Sequence, residues 1–168
     1  LATMLRPIST PLVMSGFHGE VASMIATAFS ASGFTPMAAG GGTAPDTPEL
    51  DRPLRPGDAI GVGLITGDLS LGGTGTVTAI EGNRVYAFGH PFYNLGPTSF
   101  PMTRAWIHTL LPSLMNSSKL GSLGRIIGTF EQDRATAIAG TLGAGPSMLP
   151  IRLVLDTDRG PRREFRFS

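Results

Sequence analysis

Three histidines, several serines and no cysteine set the limits of the side-chain chemistry open to this chain. The sharpest setting belongs to His90, in Ala87-Phe88-Gly89-His90-Pro91-Phe92-Tyr93-Asn94. The glycine before it can take backbone angles closed to other residues, while the proline after it pushes His90 itself towards an extended conformation. Together they fix the direction of the imidazole at the end of a strand. Such a mounting suits a general base, which takes a proton from a nucleophile and returns it to a leaving group. It also suits a histidine that merely closes a tight turn.

A histidine activating a serine needs that hydroxyl within hydrogen-bond reach and usually a carboxylate on its other nitrogen. Ser113, Ser117, Ser118 and Ser122 cluster after Pro112, but none stands in a glycine-framed elbow, and they read as loop and turn residues. Asp68 and Asp133 fall in turns and are explained by side-chain bonds to the local backbone. His18 falls in the first turn of a helix and reads as a surface residue, and His108 as a half-buried packing residue. The three histidines lack the spacing of a zinc helix and no thiolate supplements them, so neither a metal nor a cofactor is expected. Gly40-Gly41-Gly42 lacks the lysine and helix of a phosphate loop. Gly61-x-Gly63 and Gly72-Gly73-x-Gly75 lie among strands and read as bends or bulges of a curved sheet.

The elements that would position these residues follow from composition and period. In 168 residues, 41% are apolar and 15% charged, with 23 glycines, 14 prolines and a net charge of +1, which describes a compact, turn-rich fold and no disordered chain. Near-neutral charge gives no reason to expect nucleic acid. The basic cluster Arg159, Arg162, Arg163 and Arg166 reads as a solvated hairpin. No apolar run approaches the roughly 18 residues of a membrane span, and no signal segment is recognisable. A start at Leu1 and an end at Ser168 without a closing element suggest a piece of something longer.

From Phe17 apolar residues recur at Val21, Met24, Ile25, Ala28 and Phe29, which predicts a helix over about 16–32 with Ser15 as N-cap and Gly33 in a left-handed cap. Extended segments at Ile8 to Met14 and Phe34 to Met37 flank it, making residues 1–45 a small β-α-β unit. Residues 46–58 continue a Pro/Gly-rich linker. Beyond it the period alternates: strands are predicted over 59–66, 74–80, 84–88, 125–131, 136–142, 148–156 and 163–167. Residues 102–115 would suit a helix face, but Pro112 inside them favours a strand followed by a turn. Short, regularly spaced strands predict a mainly β fold with a small α element, residues 59–168 forming a barrel or sandwich.

Pro56-Gly57-Asp58, Gly67-Asp68-Leu69-Ser70, Thr74-Gly75-Thr76-Val77-Thr78, Tyr86-Ala87-Phe88-Gly89-His90-Pro91-Phe92, Leu111-Pro112-Ser113-Leu114, Gly128-Thr129-Phe130-Glu131-Gln132-Asp133-Arg134 and Gly140-Thr141-Leu142-Gly143 together resemble the SpoIVB-type serine peptidase family. The likeness is greatest to its exported homologues outside sporulating bacteria. It implies a chymotrypsin-like β-barrel of short antiparallel strands and a His, Asp, Ser triad in that order, with Gly89-His90 matching the pair that carries the catalytic histidine. It further implies an exported enzyme of the cell envelope, periplasm or exterior acting on protein or peptide substrates. The family's serine sits in a downstream Gly-Met-Ser-Gly-Ser-Pro-like turn preceded by its aspartate, and no stretch here matches that turn. The nucleophile is therefore expected beyond Ser168. Two alternatives stay open: a non-catalytic barrel binding peptides or proteins in the envelope, and an assembly domain pairing through strand edges.

Overall fold

The computed structural model of the chain describes residues 9–38, 48–114, 117–158 and 160–168. It is mainly β, as the alternating periods require. The strands are β1 (Thr10–Ser15), β2 (Phe34–Ala38), β3 (Ala59–Ile65), β4 (Ser70–Glu81), β5 (Arg84–Ala87), β6 (Gly96–Leu111), β7 (Ser118–Arg134), β8 (Ala137–Leu142), β9 (Ile151–Thr157) and β10 (Gly160–Phe167); the helices are α1 (Gly19–Ser30) and the short α2 (Pro48–Asp51). The expected segment beginning at Ile8 and the linker's first residues lie partly outside the described residues. So does Gly40-Gly41-Gly42.

Eight strands form one sheet in the order β2-β1-β4-β3-β6-β7-β8-β5, and a further β4–β5 pairing closes six of them, β3 to β8, into an antiparallel ring. The closure depends on the length of β4. Along one edge it pairs first with β1, through Ser70 to Gly73, and then with β5, through Val77 to Glu81, while β3 occupies its other edge. Thus β1 and β2 splay away at one end of the ring, and β5 seals the other. Hairpins join β3, β4 and β5 in turn, and β6 returns to lie beside β3, the connectivity of a Greek key. That return is made by residues 88–95, which contain His90.

Leu12, Ile60, Val62, Val77, Val85, Met102, Phe130 and Ile138 are buried in the interior of this sheet. Where β7 crosses β8 the backbones approach so closely that Gly140 is needed: a Cβ there would collide with the carbonyl oxygen of Thr129. Residues 102–111 are strand, as Pro112 predicts. The pattern of α1 differs from expectation at its start and in its orientation. Gly16, at φ +82°, packs on the carbonyl of Asp68, so Ser15 remains on β1 opposite Ser70, and His18 stands at the N-cap without a side-chain bond. Ala22, Ile25, Ala26 and Phe29 face the core, leaving Val21 and Met24 exposed.

Candidate functional site

The crossing loop begins where β5 ends at Ala87. Phe88 has φ +74° and Gly89 φ +73°; a left-handed backbone is costly for a bulky aromatic, so packing must hold Phe88 there. Its backbone N–H donates to Thr76 O at 2.9 Å, and its ring lies over Gly75, where any Cβ would collide with it. The glycine therefore serves as a seat for a side chain. Gly73 does the same for Phe92. These strand glycines, expected to be bends or bulges, are recesses that let the crossing loop lie flat on β4.

His90 is half-buried, with its ring 5.5 Å from that of Phe88 at a 66° tilt. Its Nδ1 lies 2.8 Å from Pro91 O. A carbonyl can only accept, so this contact calls for the proton on Nδ1, and in the neutral imidazole the lone pair then falls on Nε2. Phe92 then anchors the loop in an edge-to-face cluster with Phe34, Tyr93 and Phe100. Burial pushes the Tyr93 phenol above its ordinary pKa.

The second clamp is Asp133, near the end of β7 and 1% exposed. Its Oδ1 accepts the N–H of Phe92 at 2.7 Å, and its Oδ2 accepts those of Tyr93 at 2.6 Å and Leu95 at 3.3 Å. Asp133 was expected to tie its own turn; it ties a loop some forty residues away. Asp68 is corrected in the same sense. Its Oδ2 accepts the backbone N–H of Arg166 at 2.7 Å, docking β10 against the β3–β4 connection.

The serine cluster divides. Ser113 and Ser117 bond each other between β6 and β7, Ser117 Oγ donating to Ser113 O at 3.2 Å. Ser118 opens β7 and Ser122 lies within it, buried opposite Trp106, so neither is a loop residue. The long β6–β7 ladder outran the loop suggested by Pro112 and the serines. Ser122 Oγ is 2.8 Å from Nε2 of His108, which is exposed and paired, not packed. This serine and base are in reach of each other, but they stand far along β6 from Gly96, where the His90 loop ends. No hydrogen bond or ring contact among the described residues joins either of them to His90. His18 is exposed, as expected for a surface residue. Arg162, Arg163 and Arg166 lie on an exposed hairpin, with Arg159 outside the described residues. Among the described residues no three of His, Asp and Glu gather as a metal site.

This geometry provides a fixed imidazole with an available Nε2 on an over-determined loop. Gly75→Ala tests the mounting: the added methyl should displace the Phe88 ring and shift the His90 ring resonances. It should also lower stability by about 1–3 kcal/mol, as overpacking does. Unchanged His90 resonances would show that Phe88 does not hold the imidazole. Comparison with protein-family models, curated proteins and solved structures finds no match to this chain.

Proposed function

We propose that the chain is the His90-bearing part of an exported serine endopeptidase of the cell envelope, acting on protein or peptide substrates. The observation that carries this reading is the 2.8 Å contact of His90 Nδ1 with Pro91 O, an acceptor that suits an Nδ1–H imidazole whose Nε2 is left to take a nucleophile's proton. The closed six-strand antiparallel ring with a Greek-key crossing supports a chymotrypsin-like barrel. It puts His90 in the connection that crosses the ring. The resemblance implies that the nucleophilic serine lies beyond Ser168. No helix among the described residues is long and apolar enough to cross a membrane.

The test is fluorophosphonate labelling of the natural polypeptide that carries this chain, followed by peptide mapping. Label is expected on a serine outside residues 1–168, with the rate falling at least about a thousandfold in His90→Ala. Label lost in Ser122→Ala or His108→Ala, and kept in His90→Ala, would move the chemistry to that pair. Absence of label from every form would leave a non-catalytic barrel that binds peptides or proteins.

A further inference from the structure

Away from the His90 loop, an open groove of about 830 Å³ separates the start of α1 from the β9–β10 hairpin. Its size is that of a ligand cleft, which runs from about 300 to 1,000 Å³. Strand alternation determines what the hairpin shows it. Leu153 and Leu155 of β9 pair in register with Phe165 and Arg163 of β10, so these four side chains share one face, and all four line the groove. Phe17 and Val21 form part of the opposite wall.

The charges are sorted by the same alternation. On the other face of the hairpin Glu164 accepts Arg152 Nη2 at 2.7 Å and Arg166 Nε at 2.7 Å, and these bonds hold its carboxyl down at about 2. Arg163 is left on the apolar face with no ion pair or side-chain hydrogen bond among the described residues. Among the described residues no acidic side chain lines the groove, and the other titratable group there is His18. An apolar trough with one unmatched cation calls for an apolar occupant ending in one negative charge. Two of the strands that line it keep a free edge among the described residues: β2, which ends at Ala38, is paired only with β1, and β9 only with β10. Open edges offer backbone donors and acceptors to an extended chain. A hydrocarbon tail cannot use them.

We infer that this groove binds the C-terminus of an extended apolar peptide, with Arg163 holding the terminal carboxylate and the leucines and phenylalanine of the hairpin holding its side chains. The site shares no residue with the His90 loop, and the inference does not rest on peptidase activity.

Fluorescence anisotropy on the 168-residue chain tests it with a dye-labelled leucine-rich hexapeptide carrying a free C-terminal carboxylate, its C-terminally amidated twin, and dodecanoate as competitor. The free acid should bind at least about tenfold more tightly than the amide, because a charge-assisted hydrogen bond is lost in the latter. Arg163→Gln, an exposed change that leaves the core intact, should bring the acid down to the affinity of the amide, and Leu153→Lys should weaken both. Dodecanoate should compete poorly. Equal binding of acid and amide, an undiminished preference in Arg163→Gln, no binding of either peptide, or dodecanoate binding more tightly than the acid would each overturn the inference.

Discussion

Asp133→Ala is expected to destabilise the fold by about 3–5 kcal/mol and to release His90 from its orientation. The carboxylate is buried and serves three backbone N–H groups of the crossing loop, those of Phe92, Tyr93 and Leu95. Each buried donor left without an acceptor costs about 1–3 kcal/mol. Water can reach the Leu95 end of the loop, where the residue is exposed, and recovers part of the loss there. Phe92, 6% exposed, has no such recourse. Asp133→Asn retains one acceptor oxygen but presents an amide donor to the other N–H groups, so it should lose less than alanine and still loosen the loop. Urea midpoints give the stability, and hydrogen exchange at Phe92 and Tyr93 gives the clamp. If both amides stay as protected in Asp133→Ala as in the parent, Asp133 does not fasten the loop, and the aromatic cluster alone does.

The loop that carries His90 could be read from the sequence, whereas the residue that fastens it could not. Gly89 and Pro91 are local signals, and local backbone preference survives into the fold. Asp133 depends on register. Counting by alternation from the buried Phe130 would put Gln132 inside and Asp133 outside; the ladder with β8 slips between Phe130 and Gln132, and Asp133 turns inward. A single-residue slip reverses every following side chain, and sequence period alone carries no mark of it. The same limit separates Ser122 from its apparent loop, because its burial depends on how far β6 and β7 run together. The outcome for α1 is intermediate. Its period is helical throughout, but which stripe faces inward was decided by Gly16 lying against the Asp68 carbonyl, a contact distant in sequence. The strand glycines were legible as glycines needed for backbone reasons; their use as seats for Phe88 and Phe92 follows only from the crossing loop's path.

Asp58→Ala is expected to cost about 3–5 kcal/mol for a different reason: it strands a buried cation. The Arg104 side chain, 6% exposed, reaches Asp58 Oδ2 at 3.5 Å and gives a second bond to Arg52 O, while its Nε has no partner among the described residues. Burial pulls the Arg104 guanidinium below its ordinary pKa despite the charge of Asp58. Removing one partner of a buried pair leaves an uncompensated charge, which costs about this much. Arg52 adds a bidentate bridge at 2.6 and 2.8 Å, which solvent screens because Arg52 is 41% exposed. For Asp58 itself burial raises the pKa, but bonds from Arg52 and the Arg55 N–H, with the charges of Arg52 and Arg104, overcome this and hold the carboxyl below the ordinary range. The unfolded chain, titrating near about 3.9, therefore takes up this proton more readily than the fold does. The contribution is complete above that pH and disappears as pH falls through the lower folded value. Parent and Asp58→Asn urea midpoints should accordingly converge as pH falls from 5 towards 2. In an Arg104→Met background, where an apolar side chain of similar length replaces the cation, Asp58→Ala should lose most of its cost. An undiminished cost there would place the work of Asp58 on the Arg52 to Arg55 turn, with the buried guanidinium stabilised by the Arg52 carbonyl instead.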